Sequence, residues 1–194
     1  MGIPTVALAV IAGSFIALYR STTKTESISD SASTVAAAFN RLDLSVRYAA
    51  AISAPGQGSD GNWYVEWSGA VPSTPDCTQL RLDAATHQLQ QRTWDFDDDS
   101  DPVNLGSWQP LASGLRAADQ PADPVEATAP VVAVQPFELG SDPASPHQQL
   151  VFRLAAADPD NPAATTTTFN ATFTALNSQS STDPTSICRQ VARS

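Results

Sequence analysis

Basic residues are scarce in this chain. Lys24 is the sole lysine among ten Lys and Arg in 194 residues, set against twenty Asp and Glu for a formal net charge of −10. A protein that reads phosphates needs clustered Lys and Arg, and here the arginines are scattered, so nucleic acid is excluded as a partner. The acid excess serves solubility, with cation binding as its sharper use. Methionine occurs once and only 15% of residues are charged, which fits a secreted or surface protein better than a cytosolic enzyme. The two cysteines, Cys77 and Cys188, lie far apart and neither sits in a CxxC, so no zinc or thioredoxin-like site is indicated. In an oxidising compartment one disulfide is their natural use, and two unpaired thiols are the cytosolic alternative. No GxSxG and no Cys–His signature occurs, and the isolated His87 and His147 sit in polar, turn-like sequence. Nothing here holds a base beside a nucleophile, and the chain reads as a non-enzyme.

Charge is also missing from Gly2 to Leu18, where the run IPTVALAVIAGSFIAL is followed by Tyr19, Arg20 and Lys24. The run is slightly shorter than the roughly 20 residues that span a bilayer. A signal-peptide core is the competing reading, but there is no basic stretch before the run and no clear small-x-small cleavage site after it. The sequence instead keeps a helical pattern. Within ASTVAAAFNRLDLSVRYAAAIS, residues 32–53, Val35, Phe39, Leu42, Val46 and Ala49 form one apolar stripe at helical spacing. Asp43 and Arg47 stand i,i+4 on another face. Pro55 and Gly56 are the first strong stop signals. The spacing predicts a helix over residues 4–53, about 75 Å long. Residues 1–20 would form its membrane segment, residues 21–54 an amphipathic continuation, and residues 55–194 a β-rich extracytoplasmic head. Setting the N-terminus aside leaves roughly 140–170 residues, enough for one domain.

An apolar helix running into an amphipathic one, with AFNRLDLSVRYAAAI at the join and a β-rich region after it, resembles the type IV pilins and pseudopilins. That stretch looks like their minor subunits of the PilW/GspJ kind. The resemblance covers about the first 55 residues, and the head only in layout. It implies a structural subunit of a pilus or a type II secretion-like filament, acting in assembly initiation or partner binding. Its partners would be other pilin or pseudopilin subunits, reached through the N-terminal helix, and the membrane. Its place would be the cell membrane as a single-pass protein, with the head at the filament surface or tip. The family's basic leader, its Phe and its Glu five residues into the mature chain have no counterpart in MGIPTVALAV, so none of those roles is assigned. The expectation is that Met1 is internal and that the true start lies upstream. The alternative is a signal-anchored or secreted ligand-binding module.

The remainder alternates short β patterns with turns. GNWYVEWSG sets Trp63, Val65 and Trp67 against Tyr64 and Glu66. CTQLRLD and HQLQQRTW read as a hairpin. Further strands are expected over residues 131–139, 148–155 and 166–176, with Pro136 marking an edge. Residues 100–130 and 156–165 read as loops. The fold class is α+β, with the packing face Val35, Phe39, Leu42 and Val46 of a long N-terminal helix laid on a small antiparallel sheet.

Three motifs need weighing. In DFDDDSD, Asp95, Asp97, Asp99 and Asp101 could supply oxygens to Ca²⁺, and a solvated acidic turn is the plainer reading. It is no EF-hand, because Ser100 stands where Gly is required and Gly106 where Glu is required. Gly56-x-Gly58-x-x-Gly61 matches a dinucleotide fingerprint in letters only, since a helix precedes it and a strand follows. It reads as a connection. The four tryptophans, Trp63, Trp67, Trp94 and Trp108, read as core under a small sheet.

Overall fold

The computed structural model describes residues 33–70, 76–96, 102–120, 132–140, 144–157, 165–183, 187–190 and 193. Among these the one α-helix, α1, covers residues 33–47. Its length is about 22 Å at 1.5 Å per residue. Thirteen strands follow, and every pairing between them is antiparallel.

Seven strands form the larger sheet: β1 (Ala49–Ile52), β2 (Gly56–Gln57), β3 (Trp63–Gly69), β4 (Cys77–Asp83), β5 (Gln88–Phe96), β6 (Pro102–Val103) and β7 (Gln109–Ser113). Its order is β1-β3-β4-β5-β6, with β2 also on β3 and β7 also on β5. A second sheet joins β8 (Leu115–Ala117), β11 (Phe137–Leu139), β12 (Gln149–Ala157) and β13 (Thr165–Thr174) around β12. The pair β9 (Asp119–Gln120) and β10 (Val132–Ala133) forms a small ladder of its own.

The period-2 patterns decide which face goes where. On β3, Val65 and Trp67 turn inward, and the register sets Val65 opposite Leu80 and Trp67 opposite Thr78. One core then joins α1 (Val35, Ala38, Leu42, Val46), the larger sheet (Val65, Trp67, Leu80, Leu82, Leu89) and the second sheet (Leu115, Phe137, Leu150, Phe152, Leu154, Phe173). Phe39 bridges α1 to the second sheet, 5.7 Å from both Phe152 and Phe173 in tilted and edge-on contacts.

The expected architecture requires correction. Among the described residues, what packs on the sheets is the 33–47 segment, and the β part is two substantial sheets, not a small one beneath a long helix. Ala49–Ile52, expected to prolong the helix to residue 53, is strand β1. Alanine's helix preference is worth only tenths of a kcal/mol per residue and yields to tertiary pairing. Here β1 bonds to β3 along one edge, with Ile52 opposite Trp67. On the other edge the Gln148 side chain acts as a neighbouring strand would. Its Oε1 accepts from Ile52 N at 2.7 Å and its Nε2 donates to Ile52 O at 3.3 Å. The carbonyls at the end of α1 and just past it are taken as well. Arg47 O accepts from Leu176 N at 3.0 Å, and Tyr48 O from Asn177 Nδ2 at 3.4 Å.

The expected single-pass membrane location, and the pilin-type membrane vocabulary attached to it, are corrected too. No helix among the described residues is long and apolar enough to cross a membrane. Residues 1–20, and the continuation up to residue 32, lie outside the described residues. The 100–130 stretch, expected as loop, contributes β6, β7, β8 and β9.

The outer face of the larger sheet is buried too. A 3₁₀ turn, Ile187–Gln190, lies against β3 and carries Cys188, which is bonded to Cys77 across 111 residues of sequence. Ile187, Cys188, Cys77, Trp94 and Ala51 make a second apolar cluster there.

Two outcomes test this packing. Leu42→Ala is expected to lower unfolding free energy in urea by about 2–5 kcal/mol, whereas Leu44→Ala, one turn face away and exposed, should stay within about 0.5 kcal/mol of the parent. Replacing Cys77 and Cys188 together with alanine should remove about 2–5 kcal/mol, seen as a matching loss when the parent is unfolded under reducing conditions.

Candidate interaction site on the helix and the sheet behind it

α1 buries one stripe and leaves Leu44, with Tyr48 just past its end, exposed. Leu44 is 60% exposed and Tyr48 52% exposed, at i,i+4 spacing and so side by side. Beside them a groove of about 580 Å³ opens between α1 and the inner face of the larger sheet. Arg41, Leu44, Ser45 and Tyr48 line it from the helix side, and Trp67, Thr78, Gln91 and Thr93 from the sheet. The register explains why these meet, since Trp67 lies opposite Thr78 and Thr78 opposite Thr93. Trp67 Nε1 donates to Ser45 Oγ at 2.9 Å, which fixes the helix over the sheet at the groove floor. Arg47 pairs with Asp43 on the exposed side. The site is thus a largely apolar groove with Arg41 at its edge, carried on a helix whose C-terminal end is held by hydrogen bonds.

Beside its apolar cluster, the outer face of the same sheet carries a buried polar group centred on Glu66. Glu66 has no solvent exposure. Its carboxylate accepts from Ser53 Oγ at 2.6 Å, Gln79 Nε2 at 2.7 Å, and Arg193 Nε and Nη2 at 3.0 and 2.5 Å. Arg193 Nη2 also donates to Ala54 O at 2.8 Å. Gly56 and Gly58 make room for this segment. A Cβ on Gly56 would stand 2.5 Å from Arg193 Nη1, and one on Gly58 2.4 Å from the Arg193 carbonyl oxygen. The nucleotide-like letters therefore have a packing cause. They form the β2–β3 hairpin, with no helix after them.

Farther along that face Trp108 lies against both Arg81 and Arg92, whose guanidinium carbons are 4.2 and 4.4 Å from its ring centre. Burial pushes the Arg92 pKa down. Tyr64 Oη donates to Asp60 Oδ2 at 2.6 Å. Desolvation first, and then that bond to Asp60, raise the Tyr64 pKa. For Asp60 desolvation pushes upward, but the bonds from Tyr64 and from the Asn62 backbone and side chain outweigh it and the pKa is lowered. Asp83 behaves likewise. Burial raises it, the Thr86 backbone and side chain and then the Arg81 charge lower it, and the net shift is downward.

The residues singled out from sequence fall as follows. Cys77 and Cys188 are bonded to each other. Val35, Leu42 and Val46 are fully buried, and Phe39 partly so. Asp97, Asp99 and Asp101 lie outside the described residues. Asp95 sits on β5 opposite Val103. No group of three or more His, Cys, Asp or Glu able to hold a metal occurs among the described residues. His147 Nδ1 is 2.9 Å from Ser178 O, and His87, with a positive φ of 55°, closes the β4–β5 turn. Trp67 and Trp94 are core, while Trp108 belongs to the outer polar face. The groove and the Glu66–Arg193 pair were not singled out from sequence. Glu66 in an otherwise apolar strand was the available signal for the second. No family model, curated protein or solved structure matches this chain.

The acid limb of stability follows from the depressed carboxylates. A group whose folded pKa is lowered adds stability above its unfolded value, near 3.8 for Asp83, and that contribution disappears as pH falls through the folded value. Asp83→Asn keeps an acceptor for the Ala85 and Thr86 amides, which now bond at 3.0 and 2.8 Å. It is expected to flatten the loss of urea midpoint below about pH 4. An unchanged slope would contradict the assignment.

Proposed function

We propose that this chain is a structural subunit, of the type IV pilin or pseudopilin kind, that works by packing against partner subunits and carries no bond chemistry. The observation that carries the reading is the double character of α1. Its Val35–Leu42–Val46 stripe is spent on the chain's own core, yet Leu44 and Tyr48 stand exposed beside an apolar groove. A helix that is apolar on a second side is suited to a second packing partner. The β-rich body keeps that surface in place through the bonds at Arg47 O and Tyr48 O and through the Trp67–Ser45 contact. Partners in this reading are other subunits of the same filament.

The groove also favours a second reading, a ligand-binding module, since about 580 Å³ falls within the size range of small-molecule pockets.

Disruption of the gene, followed by complementation, separates the two. Under the subunit reading, disruption abolishes or sharply reduces surface filaments or filament-dependent secretion, and the parent chain restores them. Leu44→Asp combined with Tyr48→Asp should fold with an unfolding free energy within about 1 kcal/mol of the parent, because both sites are exposed, and yet fail to restore assembly. Filaments and secretion untouched by gene loss, or fully restored by the double variant, would overturn the subunit reading.

A further inference from the structure

We infer that the slot on the outer face of the larger sheet is an arginine-binding subsite, which the chain fills with its own Arg193. The ligand it takes in place of Arg193 is an arginine residue of a peptide. This stands apart from the subunit reading, which rests on the opposite face of the sheet.

The slot has the parts such a site needs. Its floor is a carboxylate without solvent exposure, already oriented by Ser53 Oγ and Gln79 Nε2. The guanidinium meets both carboxylate oxygens at once, Nε to Oε1 at 3.0 Å and Nη2 to Oε2 at 2.5 Å. Ala54 O accepts a third N–H at 2.8 Å. The peptide unit is held too, with Ser59 N donating to Arg193 O at 3.3 Å. Gly56 and Gly58 keep the walls clear, since a side chain on either would meet Arg193 within 2.5 Å.

Selectivity follows from shape. A planar fork satisfies two carboxylate oxygens and a carbonyl together, whereas an ammonium is a point charge on a flexible stem and cannot reproduce that geometry. Arg193 also arrives as a ligand would. It is 127 residues from Glu66 in sequence, and the covalent bond holding its segment to this sheet is Cys77–Cys188. That bond keeps the internal arginine at high effective concentration beside the slot.

The test uses the full chain with Arg193→Ala and its disulfide intact. N-acetyl-arginine amide at millimolar concentration is added, N-acetyl-lysine amide serves as the matched control, and the thermal midpoint is read. The arginine probe is expected to raise the midpoint of the variant by about 3 °C or more, by linkage to the folded state. The lysine probe should give less than about a third of that shift, since it lacks the planar fork. The parent chain should not respond, its slot being full. Arg193→Ala combined with Glu66→Gln should not respond either, its carboxylate being gone. An absent response in the single variant, an equal response to both probes, or an equal response in the parent would overturn the assignment. If the single variant does not fold unaided, refolding is followed by circular dichroism with each probe. Recovery of the β spectrum with the arginine probe alone supports the subsite, and recovery with both or with neither overturns it.

Discussion

Glu66 lies in the middle of β3, beyond reach of solvent, in a strand whose neighbours are Tyr64, Val65 and Trp67. A carboxylate taken out of water carries a penalty of several kcal/mol unless its charge is matched and its oxygens are filled. Arg193 supplies the charge, and Ser53, Gln79 and Arg193 together fill the oxygens. Without that partner the outer face of the sheet would hold an uncompensated charge, a defect of about 3–5 kcal/mol in buried pairs that lose one member. Ile187–Gln190 and Arg193 therefore complete the outer face of the sheet, although among the described residues they form no strand. The 3₁₀ turn brings Ile187 and Cys188 to Trp94 and Cys77, so that apolar cover, covalent bond and ion pair act in one place.

The inner face has a different cover. There α1 and the second sheet share one core, and Phe39, Phe152, Phe137 and Phe173 meet in edge-on and tilted contacts at 5.1–5.7 Å. Among the described residues, α1 leaves part of the inner face of the larger sheet uncovered. That remainder is the groove from Trp67 to Thr93 with Leu44 and Tyr48 at its rim. Gln148 matters to this arrangement at a distance. By pairing with both backbone groups of Ile52 it closes the edge of β1 and locks the chain just after α1, so the helix cannot extend or tilt without breaking a buried bond.

Much of this was legible as pattern. The stripe Val35, Phe39, Leu42, Val46 marked the packing face, and the alternation in CTQLRLD and HQLQQRTW marked the β4–β5 hairpin. What failed was reading Ala49–Ile52 as more helix. Three alanines and an isoleucine carry little local preference, and the deciding bonds come from Trp67, Ser68 and Gln148, remote in sequence. Residues 109–120 misled for a related reason. Their Pro, Ala and Asp content suggests loop, yet β7 and β8 are short pieces recruited by β5 and β12. Period-2 patterning cannot be seen in strands of three to five residues. The groove was invisible because it belongs to no segment. It exists only once α1 crosses three strands.

The fate of Gly56-x-Gly58-x-x-Gly61 shows how letters and physics part company. In a dinucleotide site the glycines admit a pyrophosphate to a helix N-terminus. Here a hairpin replaces strand-to-helix geometry, and the approaching group is this chain's own arginine. The demand on the glycines is the same in both settings, namely space for something that must come within 2.5 Å of where a Cβ would be. What differs is the charge that the slot awaits. A nucleotide loop offers backbone N–H groups to an anion, whereas this slot offers a buried carboxylate and a carbonyl, which only a cationic donor can satisfy. The sign of the ligand was thus written in Glu66, ten residues beyond the first glycine, on a strand whose neighbours Tyr64, Val65 and Trp67 are buried.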